Sequence, residues 1–413
     1  MVKIEEIKLE IIKDSRNENT LQATIKSGNF TATSSIPKGK SRGEKEVFLA
    51  PIDKVLLNFE KIKFQILNHS FSSLFDFDKF LINLDGTLNK QNLGGNLTLV
   101  LSQAFAKLLA QLKQKELWQI LEEEFFILNP SLEQNLSKNK KAPYFFFNIL
   151  NGGQHAPYGP YIQEYLIIPL TNNPYQSLVT ATEFFQNLKI YITQRYAQCQ
   201  TGDEGGALLP ENDYEQPLKI FEQIKNEMKN KNRLEIDIAF GLDIAASSFY
   251  RPEEKNYHLA PGLSLTNSEL LEIYQYLSDF YHLFSIEDPF EENDFESFGE
   301  LNKKIGERTL IIGDDLTVTN KEILHKAIEK NSLGAVIIKP TQIGTITETL
   351  ETIGLAQRKG IKTIISHRSA ETMDDFIADL AVATKAFGLK AGAPQTPERV
   401  VKYKRVIQIF KLY

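Results

Sequence analysis

TLIIGDD (309–315), GAVIIKP (334–340), KTIISHRS (362–369) and GLKAGAP (388–394) are four apolar runs, each closing on charged or polar residues. Asp314, Lys339, His367 and Lys390 stand 25, 28 and 23 residues apart by subtraction, which is one strand and one helix per step. Towards the N-terminus, HLFSIEDP (282–289), IDIAFGLD (236–243) and EYLIIP (164–169) have the same character, and helical stretches separate most of these runs. Repeated βα units of this size imply parallel strands. Roughly 270 residues follow Pro143, against ~250 for a closed eight-stranded barrel. An α/β fold of the (β/α)8 type is expected. An open doubly wound sheet is disfavoured because no glycine-rich phosphate fingerprint follows an early strand.

The N-terminal part reads differently. IEEIKLEII (4–12), TLQATIKSG (20–28) and FTATSSI (30–36) alternate apolar and polar residues, as three antiparallel strands do. From Val55 to Leu121 apolar residues recur at helical spacing, as in LTLVLSQAFAKLLAQL (97–112), so several helices should cover that sheet. The polar segment SLEQNLSKNKKA (131–142) breaks the periodicity. We therefore expect an α+β capping domain over 1–134 and the barrel over 135–413.

Bulk properties exclude several classes of function. A formal net charge of -6, with Lys and Arg dispersed along the chain, suggests neither nucleic acid nor an anionic membrane as partner. The single cysteine, Cys199, allows no internal disulfide and fits a reducing compartment. Glu5, Glu6 and Glu10 interrupt the first residues where a signal peptide needs an apolar stretch, and no run approaches the ~20 residues that span a bilayer. A cytoplasmic protein is expected.

In a β/α barrel the C-terminal ends of the strands share one mouth, so residues distant in sequence converge there. Asp243, Glu287 and Asp314 each terminate an apolar run. A single Asp after a strand is more often a helix cap or an ion-pair partner. Three in register would repel strongly without a cation, and oxygen-only ligands favour magnesium over zinc. Lys339 ends GAVIIK, where neighbouring cations would lower its pKa towards that of a general base for a carbon acid. Lys390 adds positive charge to the same mouth. Glu204 lies in the glycine-rich turn TGDEGG (201–206), where a carboxyl can approach a ligand and protonate a departing hydroxyl. His367, Arg368 and Ser369 suit a phosphate, and His155 follows an NGG turn. PKGKSRGEKE (37–46) reads as a basic, flexible segment able to close over an anionic substrate.

NGGQHA (151–156), QEYLIIP, GDEGG, LDIAAS (242–247), SIEDP, GDDLTVTN (313–320), IIKPTQIGT (337–345), SHRSAET (366–372), FIADLAV (376–382) and LKAGAP resemble the signature segments of enolases, in enolase order across nearly the whole chain. The resemblance implies magnesium-dependent, reversible dehydration of 2-phosphoglycerate to phosphoenolpyruvate, in glycolysis and gluconeogenesis. It assigns Asp243, Glu287 and Asp314 to a first magnesium, and Ser41 to a second that arrives with substrate. Lys339 becomes the base at C2, and Glu204, assisted by Glu164, the acid at C3. Arg368 and Ser369 would hold the phosphate and Lys390 the carboxylate. His155, His367 and Gln163 would line the pocket, with Asp315 beside the metal. A homodimer, or an octamer of dimers, is implied, with no nucleic acid and no membrane.

The departures from this pattern cluster near the N-terminus. Lys38, Lys40 and Arg42 replace three small lid residues, Asn17 and Asn19 replace a Gly and a Pro in DSRNENT (14–20), and Ala370 and Ala391 replace a Gly and a Thr. The given sequence stops soon after Phe410, without the acidic tail common in the family. Two other readings remain: a relative using the same enolate chemistry on another acid, and an enolase-like binding or scaffold protein whose catalysis has decayed.

Overall fold

A computed structural model describes residues 1–40, 43–138, 141–231 and 235–411. Three antiparallel strands, β1 (Glu6–Lys13), β2 (Asn19–Ser27) and β3 (Phe30–Ser35), open the chain as expected. Pairing Ile7 with Ile25, Leu9 with Ala23 and Ile11 with Leu21 aligns the apolar positions on one face. Helices α1 (Ile52–Leu67), α2 (Leu74–Asp85), α3 (Gly95–Leu112) and α4 (Leu117–Leu128) follow. Helix α3 is apolar nearly all round because both its sides are covered, by β2 and β3 on one and by the barrel on the other. Its Thr98 hydroxyl donates to the Gly344 carbonyl at 2.6 Å, and its Ser102 hydroxyl accepts from the Ile346 N–H at 3.0 Å.

After α5 (Pro130–Leu136), eight strands close into a barrel: β4 (Tyr144–Asn151), β5 (Glu164–Pro169), β6 (Ile238–Asp243), β7 (Ser285–Glu287), β8 (Leu310–Gly313), β9 (Ala335–Ile338), β10 (Lys362–Ser366) and β11 (Gly388–Lys390). Closure comes from β11 pairing with β4, Lys390 opposite Phe146. Phe146, Leu166, Ile168, Ile312, Ala335, Ile337 and Ile364 pack inside the ring. Phe284 and Phe387 stack at 6.1 Å against that cluster. The interior is therefore a packed core, and polar chemistry is confined to the mouth.

One expectation needs correcting. The strands are not all parallel, because β5 runs antiparallel to both β4 and β6, with Glu164 opposite Asn151 and Asp243. The link from β4 to β5 carries only a short 3-10 turn and no α-helix, so β5 returns in the opposite direction. Its first residue, not its last, thus lies at the mouth. Two helices, α6 (Pro174–Tyr196) and α7 (Gln216–Asn230), then lead to β6. From there each strand is followed by a helix: α8 (Asn267–Tyr281), α9 (Phe295–Ile305), α10 (Lys321–Glu329), α11 (Ile346–Arg358), α12 (Phe376–Ala383) and α13 (Pro397–Lys411). Among the described residues no helix is long and apolar enough to cross a membrane.

Candidate active site

A cavity of about 200 Å³ opens at the mouth, walled by Asp243, Asp314, Lys339, His367, Arg368 and Lys390 from the strand ends. Glu164 at the start of β5, Gln163 just before it, His155 and Glu204 from the loops, and Ser369 complete the wall. The strand ends are strained. Ala245, Asp288, Val318 and Thr319 all have left-handed φ, between 43° and 55°, just beyond the carboxylates of β6, β7 and β8. For β-branched Val318 and Thr319 this geometry is costly and requires support from the surroundings. Thr319 has that support: its hydroxyl donates to Gln342 Oε1 at 2.7 Å and accepts from the Lys339 N–H at 2.8 Å.

Two cations organise the carboxylates. Lys390 Nζ lies 2.8 Å from Asp243, 2.8 Å from Glu287 and 3.2 Å from Glu164. Burial works against its charge, but these three carboxylates outweigh burial and hold it well above its ordinary value. Lys339 bonds to Asp314, whose other oxygen accepts from Gln342 Nε2 at 3.0 Å. With Asp314 as its partner, the Lys339 pKa lies above its ordinary value, because burial, which lowers it, is outweighed by the Asp314 carboxylate at contact, against which the more distant Arg368 and Lys390 count for less.

The acid side is built around two buried carboxyls. His155 Nδ1 stands between them, 3.7 Å from Glu164 and 3.6 Å from Glu204. Burial and the charge of Glu204 push Glu164 well above its ordinary value. Burial also opposes ionisation of Glu204, yet His367, His155, Arg399 and Lys390 outweigh it and hold this group well below. Burial lowers both imidazoles as well, so the lasting positive charge near Glu204 is that of Arg399 and Lys390. Of the two carboxyls, Glu164 is the one whose surroundings favour the protonated form. Asn148, the lone polar residue in FFFNIL, donates to Glu204 Oε2 at 2.9 Å.

Residues 37–40 of the expected lid lie against the segment 368–370. Lys38 and Ala370 exchange backbone hydrogen bonds at 2.9 and 3.0 Å, and the Lys40 N–H donates to the Ser369 hydroxyl at 2.7 Å. A Cβ at Gly39 would collide with the Arg368 guanidinium, itself 3.1 Å from Glu46. The lysines that replace small residues point outwards: Lys38 pairs with Glu18 at 2.9 Å, and Lys40 with Asp203 at 2.9 Å. Asn17, at the expected glycine position, takes a left-handed φ of 60°, which Asn tolerates better than most residues. Ser41 and Arg42 lie outside the described residues.

The donors suit a hard divalent cation. Asp243, Glu287 and Asp314 come from adjacent strands and offer only oxygen. Their oxygens are not all mutually close in this geometry. Among the described residues, the sets of possible ligands within 4.8 Å of one another are Asp288, Asp314 and Asp315, and His155, Glu164 and Glu204. Crowding is nonetheless evident: burial and then Asp243 push Glu287 well above its ordinary value, while burial and Asp314 bring Asp315 to about 7. Added positive charge would relieve both.

An enzyme with an acidic, lysine-bridged site at the mouth of a β/α barrel is the class of protein that this fold and site define. The family model for the enolase N-terminal domain matches residues 4–121, and that for the enolase C-terminal TIM barrel domain matches 139–411. An enolase from Sulfurisphaera tokodaii is 38% identical over 98% of this chain and 95% of its own length. An enolase from Sulfolobus acidocaldarius is 38% identical over 96% and 93%, and an enolase 2 from Lactobacillus johnsonii 36% over 99% and 95%. The chain belongs to the enolase family. It is a lyase of the phosphopyruvate hydratase type, with the glycolytic interconversion of 2-phosphoglycerate and phosphoenolpyruvate as its reaction. The family uses magnesium, which agrees with the acidic clusters at the mouth.

Proposed function

We propose that Lys339 removes the C2 proton of 2-phosphoglycerate and that Glu204, supplied by Glu164, protonates the C3 hydroxyl as it leaves. The supporting observation is topological. Lys339 follows β9 and Glu164 opens β5, four strands away by either route round the ring. Base and acid thus stand on opposite walls, as an elimination across a C2–C3 bond between them requires. Lys339 is competent as a base only when Asp314 no longer holds its proton. Lys390 faces the substrate carboxylate, and Arg368 with Ser369 the phosphate. Gln163, His155 and His367 line the space between.

Asp243, Glu287 and Asp314 are the ligands we assign to a first magnesium, and Ser41 to a second that enters with the phosphate. Magnesium, when bound, supplies positive charge beside the carboxylates and the developing enolate oxygens. A cytoplasmic homodimer or octamer belongs to the same reading, as does a division at 134/135, within α5 and just ahead of β4. The test follows phosphoenolpyruvate by ultraviolet absorbance with 2-phosphoglycerate and magnesium, beside chelator and Lys339→Ala controls. Turnover lost in both controls supports the reading; turnover that survives Lys339→Ala overturns the assignment of the base.

A further inference from the structure

Buried cations in this chain pair with carboxylates: Lys402 with Glu371 at 2.7 Å, Lys90 with Glu348 at 2.8 Å, Arg368 with Glu46 at 3.1 Å, and Lys390 as described. Arg399, in the first turn of α13, does not. Its side chain is fully buried, yet among the described residues no carboxylate lies within ion-pair distance of it. Its guanidinium is used on the site instead. Nη1 donates to the Arg368 carbonyl at 2.7 Å and also contacts His367 Nδ1. Nη2 donates to the Ser369 carbonyl at 2.6 Å and reaches the Asp203 carbonyl at 3.5 Å. One planar group therefore touches the backbone of both phosphate-binding residues, the ring of His367, and the turn that carries Glu204.

The contact with His367 has a chemical consequence. A guanidinium nitrogen only donates, so the Nδ1 it faces must accept and cannot carry a proton. The imidazole proton is then left on Nε2, the nitrogen 3.4 Å from Glu204 Oε2. A flipped ring would turn carbon towards both neighbours. Burial and the adjacent Arg399 also disfavour imidazolium.

We infer that Arg399 is a positioning residue that locks His367 in the Nε2–H tautomer facing Glu204 and holds the His367–Ser369 backbone in its phosphate-binding shape. The inference rests on the proposed roles of Glu204, Arg368 and Ser369, but the tautomer can be read without turnover. Two-bond 1H–15N spectra of the histidine-labelled full chain, with His367→Gln for assignment, should give His367 a protonated Nε2 and a bare Nδ1 near neutral pH. A proton on Nδ1 in the unsubstituted protein overturns the proposal. Folded Arg399→Met should lose the fixed tautomer, and kcat should fall by about ten- to a hundredfold, the scale on which outer partners of catalytic ligands act. Arg399→Lys, which keeps the charge but cannot span all the acceptors, should recover part of kcat and not the tautomer signal. If Arg399→Met does not fold, the unsubstituted spectrum and the Lys variant carry the test. Unchanged tautomer and kcat in either folded variant refutes the inference. A protein without turnover that still shows the Nε2–H form, lost on substitution, keeps this inference and removes the catalytic one.

Discussion

The barrel mouth and the lid above it are both dense in charge, but the charges stand on different physical footings. At the mouth, Lys390 and Glu287 are 3% and 1% exposed and 2.8 Å apart, so neither can be removed without leaving the other uncompensated in a low-dielectric interior. On the lid, Lys38 and Lys40 are 50% and 47% exposed, and their partners Glu18 and Asp203 are 47% and 28% exposed. Similar ion-pair distances therefore carry very different weight. The mouth is where substitution is expensive, and the lid carries three of this chain's departures from the family pattern, Lys38, Lys40 and Arg42. The exception is the lid backbone at Gly39, which rests on a buried guanidinium.

The largest effect expected from this contrast is at Lys339. Lys339→Ala should lower kcat by about 10²–10⁴-fold with the fold intact, measured as phosphoenolpyruvate formation at saturating magnesium. Gly39→Ala comes next, because the new methyl must displace either Arg368 or the lid. Between about tenfold and a hundredfold in kcat/KM should be lost, and a variant kinetically like the parent would mean that the lid does not sit on Arg368 during turnover.

A third prediction concerns stability at the seam between the capping helices and the barrel. Asp78 in α2 is wholly buried and accepts from the Thr347 N–H at 2.8 Å; burial raises its carboxyl to about 7. The folded state thus binds this proton more tightly than the unfolded chain, whose ordinary value is 3.8. Its contribution is fully present below about pH 4 and is lost as pH rises through about 7, up to about 4 kcal/mol. Urea unfolding from pH 5 to 8 should show that decline, and Asp78→Asn should flatten it. The smallest effect is expected from Lys38→Ala with Lys40→Ala: less than about fivefold in KM, shrinking further with added salt. A larger loss would show that the outward lysines hold the lid and would erase the contrast with the mouth.

The strand-end pattern was legible because barrel periodicity makes it so. Glu287, Asp314, Lys339, His367 and Lys390 follow apolar runs at regular spacing, Asp243 ends a similar run further upstream, and a closed ring brings such ends together whatever the loops do. Glu164 was legible as a site residue but not as the first residue of a reversed strand, since EYLIIP reads alike in both directions. Asn148 left a faint trace, a polar residue inside an apolar run. Arg399 left none, and Glu46 and Gln342, although inside quoted segments, had nothing local to mark their partners.

Composition, periodicity and motif order by themselves determined the barrel, the antiparallel capping sheet and the family, because these depend on short-range pattern repeated along the chain. The direction of β5, the pairing of Lys339 with Asp314, the division of acidity between Glu164 and Glu204, and the placement of Arg399 behind His367 were decided only by tertiary structure. Each depends on distances between side chains from different strands and helices, and on how much water is excluded between them.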